Sequence, residues 1–142
     1  MNYHDRDTYG MYKNPSIIRS LSERGPGPQL MGADTLIGND VYNLDGEDLG
    51  DIKEIMLDVP SGRIAYAVLS FSTFLGMGEK LFAVPWSALT LDTFEKRFVL
   101  NVDVNRLKNA PGFDKGHWPD MADSHWGKRI HEYYGVETDH HS

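Results

Sequence analysis

Cysteine is absent from the 142-residue sequence, which excludes disulfide bonds, thiolate metal centres such as zinc fingers, and cysteine nucleophiles. Long hydrophobic runs are missing too, since no stretch approaches the ~20 apolar residues that a membrane-spanning helix needs. The first residues, MNYHDRDTYGMYKN, mix acidic, basic and aromatic side chains and contain no apolar segment of a secretory signal. We therefore expect a soluble protein that resides in the cytoplasm.

An excess of basic residues is also absent. The net charge at pH 7 is −7, and residues 1–34 contribute nothing to it, so all of the surplus acid falls on residues 35–142. Non-specific binding to nucleic acids or to anionic membranes depends on Lys and Arg that displace counterions from phosphates. We therefore expect no direct nucleic-acid partner. The balance within residues 1–34 is between Arg6, Lys13, Arg19 and Arg24 and the acidic Asp5, Asp7, Glu23 and Asp34.

Three regions follow from the distribution of residue types. Residues 1–34 are predicted to form a flexible arm, because the apolar piece SIIRSL is followed by SERGPGPQLMG, in which alternating Gly and Pro favour open conformations. Two interpretations of the arm stay open, namely simple disorder or a segment that orders by docking on a partner or on the body. Residues 35–104 are predicted to form a barrel, and residues 105–142 a loop-and-helix extension that packs on it and ends in a polar tail.

Short β-rich runs separated by turn signals dominate the chain beyond residue 34. Asp45-Gly46 fits a tight turn, and Pro60-Ser61-Gly62 joins the runs DIKEIMLDV and RIAYAVLSF in the clearest hairpin. The second run has no polar face, which is typical of a central strand covered on both sides. In the first run, Ile55, Leu57 and Val59 are expected on a largely apolar face.

Further signals complete the strand pattern. Pro85 has no N–H donor, so the strand KLFAVPW must end there or lie at a sheet edge. A helical turn at Trp86 and a hairpin turning near Phe94 are expected next, and Asn105 is a candidate N-cap of another helical turn. The predicted fold class is mainly β: a small antiparallel β-barrel of five to six strands, with a short C-terminal helix packed on it and an extended N-terminal arm.

The C-terminal helix is predicted to begin near Ser124. Asp123 fits the N-cap position and Gly135 the position that ends the helix. Two aromatic side chains of this region, Trp118 and Trp126, are interpreted as anchors that hold the segment against the barrel. The stripe expected to pack on the barrel consists of Trp126, Ile130, Tyr133 and Tyr134.

The strand region resembles the PRC-barrel superfamily. The stretches that carry the resemblance are LIGNDVYNLDGEDLGDIKEIMLDVPSGRIAYAVLSF, LFAVPWSAL and FVLNVDVNRLKNAPGFD, which lie between Thr35 and Asp114. The most specific pieces are G-x-x-L-G-x-I at residues 46–52, the strand ending in AVLSF, VPW at residues 84–86 and LKNAPGF at residues 107–113. Each of these motifs specifies turn geometry or core packing rather than a reaction.

The resemblance implies a small β-barrel that acts by protein–protein contact, as a stand-alone bacterial member. The family includes the cytoplasmic domain of the photosynthetic reaction-centre H subunit and the C-terminal domain of a ribosome-maturation factor. This sequence departs from both, because it has no membrane-spanning helix like that of the H subunit, and residues 1–34 are too short to be the separate N-terminal domain of the maturation factor.

One cluster carries side chains suited to metal binding or acid–base chemistry. His117, Asp120, Asp123 and His125 are two imidazoles and two carboxylates, a ligand set that Zn²⁺ or another divalent ion accepts. The spacing matches no metal-binding helix motif, and Pro119 separates His117 from the rest. We interpret the two aspartates as helix-start residues, and the sequence predicts no catalytic residue, metal or cofactor.

The loop STFLGMGEK between two predicted strands holds the candidate interaction surface. Phe74, Leu75 and Met77 are apolar where polar turn residues are normal. Exposed, they would form a surface for a partner or for a second copy. Folded back, they would lie beneath the C-terminal helix, and the sequence leaves both arrangements open.

Three hypotheses of function result. The first is a non-enzymatic protein-interaction or adaptor module that self-associates, with no small-molecule substrate. The second is a metal-dependent enzyme that uses His117, Asp120, Asp123 and His125. The third is a ribosome-associated factor whose acidic body contacts a basic ribosomal protein.

Overall fold

The computed structural model describes residues 30–72, 79–92 and 94–137, together with Asn2 and Asp5. Its strands are β1 Asp40–Tyr42, β2 Asp48–Asp58, β3 Arg63–Ser72, β4 Glu79–Pro85, β5 Leu89–Asp92 and β6 Arg97–Leu100. The described helices are α1 Ala33–Leu36, α2 Val104–Lys108 and α3 Ser124–Tyr134, and a 3-10 turn spans Trp86–Ala88. The six strands form one sheet in the spatial order β4-β3-β2-β1-β6-β5.

The sheet confirms the predicted mainly β fold class, with one difference in strand direction. Neighbouring strands are antiparallel except β1 and β6, which run parallel. The difference arises because β5 and β6 form a hairpin of their own, which returns to β1 on the side opposite β2.

A connection of three residues forces this sheet to curl. β4 and β5 lie at opposite edges of the sheet, yet only Trp86–Ala88 separates Pro85 from Leu89. Four Cα–Cα steps span at most about 15 Å, whereas the outer strands of a flat six-stranded sheet would lie about 24 Å apart. The sheet therefore bends round on itself. Apolar side chains fill the interior, among them Val41, Leu49, Ile52, Ala67, Leu69, Phe82, Val84, Phe98 and Leu100.

Strand β3 is covered on both faces, as its apolar pattern predicts. Ala67 and Leu69 belong to the interior core. On the other face, Tyr66 packs with Ala83 and Ile130 in a second cluster, and Ile130 comes from α3. The C-terminal helix thus covers the outside of the curled sheet.

Helix α3 is fixed at its start and near its end. The Oδ1 atom of Asp123 accepts a hydrogen bond from the His125 N–H at 2.9 Å, and Gly135 ends the helix with a φ of 70°, both as predicted. Near the end, the Arg106 guanidinium donates to the Tyr133 carbonyl, and the Tyr133 hydroxyl donates to the Arg106 carbonyl. This reciprocal pair ties α3 to α2.

Two local expectations are wrong. Asp103 rather than Asn105 caps α2, because the Asp103 Oδ1 atom accepts a hydrogen bond from the Arg106 N–H at 2.7 Å. Thr35 lies in the single turn of α1 rather than in a strand, since its N–H donates to the Gly32 carbonyl at 3.0 Å. None of the described helices has the length and the apolar character needed to cross a bilayer.

The expected apolar face of β2 is confirmed for Ile55, which packs against the core, and not for the two residues beyond it. Leu57 and Val59 are 58% and 84% exposed, whereas Leu49 and Ile52, three positions apart, are fully buried. Register shifts interrupt the pairing of β2 with β3 at two places. One extra residue lies in each strand, Lys53 in β2 and Ala65 in β3, and the pairing of β2 with β1 shifts between Asp48 and Asp51. A strict two-residue alternation therefore cannot hold along β2.

Gly50 lies directly against the backbone of β3. A Cβ atom at Gly50 would lie 2.0 Å from the Ser70 carbonyl oxygen, and the φ of Gly50 is 104°. Gly46, in the turn before β2, has a φ of 81°, but its Cβ would meet no atom within 4 Å. With Leu49 and Ile52 buried in the core, the G-x-x-L-G-x-I pattern combines an open turn, two core side chains and a backbone contact that only glycine permits.

The segment before α3 covers the edge strand β4. Leu81 and Phe113 exchange two backbone hydrogen bonds of 2.9 Å each. A Cβ atom on Gly112 would come within 2.8 Å of the Phe82 ring, so only glycine allows this approach. As predicted, β4 lies at an edge and ends at Pro85. The LKNAPGF motif therefore satisfies part of a strand edge that would otherwise present unpaired donors and acceptors.

Acidic side chains from β1, β2 and β4 influence one another at one end of the sheet. Burial raises the pKa of Asp51, and the nearby Asp40 and Glu79 carboxylates raise it further. Lys53 opposes this effect, and its Nζ atom lies 3.3 Å from the Glu79 Oε1 atom. Ionised Asp51 therefore destabilises the folded protein.

Replacing Gly50 should test the backbone contact. We expect Gly50→Ala to lower the free energy of unfolding by about 3 kcal/mol or more, because the methyl group collides with a backbone carbonyl while φ must stay positive. Gly46→Ala is the matched control, since it has the positive φ without the collision, and should cost about 1 kcal/mol. Chemical denaturation measures both. Equal losses at the two positions would contradict the contact.

Removing the charge of Asp51 should stabilise the protein at pH 7, by about 0.5 kcal/mol for a partly exposed group. Because the pKa of Asp51 is higher in the folded than in the unfolded protein, stability falls as the pH rises from the ordinary Asp value through the folded pKa. The gain from Asp51→Asn should therefore be present at pH 7 and absent below about pH 4. Thermal unfolding at both pH values measures this gain in stability. Asp114→Asn, at an exposed position, is the control. A gain in stability that persists in acid would contradict the role of the Asp51 charge.

Candidate functional site

The metal-ligand candidates do not converge. His117, Asp120, Asp123 and His125 are all exposed. The two aspartates instead accept backbone hydrogen bonds, Asp120 from the Ala122 N–H at 3.0 Å and Asp123 from the first turn of α3. Across the described ranges, no group of three or more His, Cys, Asp or Glu side chains is arranged to hold a metal ion. The geometry therefore does not support the metal-dependent enzyme.

The two tryptophans of the C-terminal extension contact aromatic residues of the barrel and its edge. The Trp126 ring meets Tyr66 edge-on, with centroids 5.2 Å apart. Trp118 is 42% exposed; its ring lies 5.0 Å from Phe113, and its Nε1 atom donates to the Lys115 carbonyl at 2.8 Å. Since Phe113 is paired with β4, both rings help to hold the extension on the sheet.

The predicted interaction surface, Phe74, Leu75 and Met77, lies outside the described residues. These residues belong to the connection from β3 to β4. Asp51 pairs with Ser70, so the start of β2 and the end of β3 are neighbours at one end of the sheet. The turn that precedes β2 therefore lies at the same end as this connection.

A fixed turn displays an apolar side chain at that end. Leu44 is 72% exposed, while the adjacent Asn43 is 4% exposed. The Asn43 Oδ1 atom accepts hydrogen bonds from the N–H groups of Asp45 and Glu47 at 3.0 and 2.8 Å, and its Nδ2 atom donates to the Glu47 carboxylate at 2.8 Å. These bonds make the turn rigid and leave Leu44 pointing away from the core.

A groove with a volume of about 550 Å³ lies at the other end of the sheet, between the β2–β3 hairpin and the start of α3. Asp58, Arg63 and Asp123 contribute charged groups to its lining. Its apolar lining is contributed by Met56, Leu57, Ile64, Trp86 and Met121.

Two deeply buried polar side chains also line the groove. Tyr66 is 7% exposed and His131 is 8% exposed, and their rings meet at 70° with centroids 5.6 Å apart. The His131 Nδ1 atom lies 2.7 Å from the Gly127 carbonyl. A carbonyl can only accept, so Nδ1 carries the proton, and Nε2 of the neutral ring is an acceptor. Burial raises the pKa of Tyr66, which keeps its hydroxyl protonated.

Sequence reasoning did not single out Tyr66 or His131. Tyr66 lies in a run that has no polar face, and His131 lies in the predicted C-terminal helix outside its buried stripe. A weak signal was present in α3, because Gly127 and His131 each follow a residue of the predicted buried stripe. A glycine beside such a stripe leaves space, and here that space is part of the groove.

Comparison with known proteins agrees with the curled sheet. No curated protein matches the sequence. The family model described as the PRC-barrel domain matches residues 28–106, which is more than half of the 142 residues. The match includes all six strands and the turn, glycine and proline motifs that shape them. The chain therefore belongs to the PRC-barrel domain family.

Proposed function

We propose that this protein is a non-enzymatic PRC-barrel module that acts in the cytoplasm by protein contact, as a homodimer or as an adaptor. Its contact surface, the Leu44 end, consists of Leu44 with Phe74, Leu75 and Met77. The observation that carries the proposal is the 72% exposure of Leu44 on a turn whose backbone is fixed by the Asn43 side chain.

The Leu44 end suits association for two physical reasons. An exposed leucine loses unfavourable contact with water when a partner covers it. A turn that is already rigid loses little conformational freedom on binding, so more of that gain appears as affinity. The sequence of the β3–β4 connection contains three large apolar residues, which would extend the apolar area beyond a single residue if they lie beside Leu44.

The arrangement of polar groups supports binding rather than reaction. The four side chains that the sequence offered for metal or acid–base chemistry are exposed and separate. Tyr66 and His131 do approach each other, but much of the groove around them is formed by methionine, isoleucine and tryptophan side chains, with charged groups from Asp58, Arg63 and Asp123. Such a lining is typical of a binding site.

Polar substitution at the Leu44 end should abolish self-association. The double variant Leu44→Ser/Phe74→Ser should shift the native mass from about twice 16.1 kDa to 16.1 kDa, as measured by light scattering over a concentration series. The matched control is Val59→Ser, which removes a side chain that is 84% exposed at the opposite end of the sheet. The control should leave the mass unchanged.

Two results would contradict the proposal. A wild-type protein that stays monomeric at every concentration and has no partner in cross-linked cell extract would exclude both the homodimer and the adaptor. A loss of association in Val59→Ser alone would place the contact at the other end of the sheet.

The ribosome-associated alternative stays a prediction. The surplus of acidic residues beyond residue 34 would suit a basic ribosomal protein. Cosedimentation with ribosomal subunits that is lost at moderate salt is the expected result, because salt screens contacts between exposed charges. Absence of cosedimentation at low salt would exclude it.

A further inference from the structure

The groove between the β2–β3 hairpin and α3 contains polar atoms that the fold itself does not use. The Tyr66 hydroxyl and the Nε2 atom of His131 have no hydrogen-bond partner within the described part of the chain. Both residues are more than nine-tenths buried. Buried polar side chains are normally satisfied, so two unpartnered atoms in one groove indicate a ligand or water that satisfies them.

The Tyr66 hydroxyl and Nε2 of His131 are accessible from the groove and are not sealed in the protein interior. The described polar atoms that are sealed from solvent without a partner are Oδ1 of Asn39, Nε of Arg97 and Oη of Tyr134. Neither Oη of Tyr66 nor Nε2 of His131 is among them, although both residues line the groove. Gly127 also lines it, and a Cβ atom there would lie 3.2 Å from the Tyr66 hydroxyl.

We propose that this groove binds a small neutral aromatic amide, through hydrogen bonds from the Tyr66 hydroxyl to the amide carbonyl and from the amide N–H to Nε2 of His131. The inference is independent of self-association, because the groove lies at the end of the sheet opposite Leu44. It assigns a ligand class to a cavity, not a reaction.

The donor and acceptor pattern selects the polar group. His131 donates through Nδ1 to the Gly127 carbonyl, so Nε2 is the acceptor whenever the ring carries a single proton. The Tyr66 hydroxyl can then act as the donor. A primary amide offers one carbonyl acceptor and an NH₂ donor side by side, which complements one donor and one acceptor on two rings that are in contact.

The charges of the lining favour a neutral ligand. Asp58 and Asp123 repel an anion, and Arg63 has an interaction of its own. A cation would be attracted by the two carboxylates, but it would lose its hydration among apolar side chains and would find no acidic partner in Tyr66 or His131. A neutral group avoids both penalties.

The walls favour a flat apolar body. Met56 and Met121 present polarizable thioethers, which make favourable contacts with aromatic rings, and Trp86 adds an aromatic surface. The volume of about 550 Å³ falls within the range of sites that bind small organic molecules. An aromatic ring that carries one amide fits within such a space while it satisfies the polar pair.

Three probes with the same aromatic ring separate the contributions of the hydrogen-bond donor and of the ligand's charge to binding. Benzamide carries both the donor and the acceptor, N,N-dimethylbenzamide lacks the donor, and benzoate carries a charge. We expect benzamide to shift the side-chain NMR signals of Tyr66 and His131 in a saturable way. The two other probes should bind at least tenfold more weakly, because each leaves a buried polar atom unsatisfied or buries a charge.

A conservative variant tests the assigned hydrogen bond. Tyr66→Phe keeps the ring and removes an unpartnered hydroxyl, so it should fold normally and weaken benzamide binding about tenfold. Tyr42→Phe is the matched control, because Tyr42 lies in β1 outside the groove, and it should bind benzamide like the wild type. Unfolding midpoints confirm that both variants are folded.

Three outcomes would overturn the inference. Equal affinity for the three probes would show that the polar pair recognises nothing. Unchanged benzamide binding in Tyr66→Phe would remove the assigned hydrogen bond. Shifts confined to residues outside the groove would place the binding site elsewhere. None of these outcomes bears on the native mass, so the proposal of protein contact is tested separately.

Discussion

The short connection between β4 and β5 is the constraint on which the architecture depends. Three residues join strands at opposite edges of a six-stranded sheet, so the sheet has to curl until those edges approach. Curling creates an enclosed interior, which the alternate side chains of the strands fill. Trp86 belongs to the connection, and its ring lies 5.6 Å from Phe98 of the core while it also lines the groove. Barrel closure and the wall of the candidate site therefore share one residue.

Close backbone approaches then join the layers. Gly50 allows β2 to meet the carbonyl of Ser70, and Gly112 allows the C-terminal extension to reach the edge of β4. At both positions a side chain would collide with a neighbouring strand. The glycines of these two motifs are therefore explained by the space available to the backbone and not by a role in a reaction. Once Phe113 is paired with β4, α3 can cover the outer face of the sheet and bury Tyr66. Local glycine positions thus determine whether the groove exists.

Features with a local cause could be predicted from the sequence. Pro85 ends its strand because it lacks a donor, and Asp123 and Gly135 mark the ends of α3 by their capping chemistry. Features that depend on register could not, because bulges interrupt the pairing of β2, and Leu57 and Val59 are exposed although simple alternation places them on the apolar face. The groove was missed for a similar reason. Its polar pair joins a strand and a helix that are far apart in the sequence and meet only after the sheet has curled.

The reciprocal hydrogen bonds between Arg106 and Tyr133 have a consequence for how the groove behaves over time. They secure the distal part of α3 to α2, while the paired strand segment at Phe113 secures the chain upstream of the helix. Contacts on both flanks hold the helical wall of the groove against the sheet. The cavity is therefore preformed. A ligand would bind at a rate set by diffusion and desolvation, and no conformational opening would precede binding.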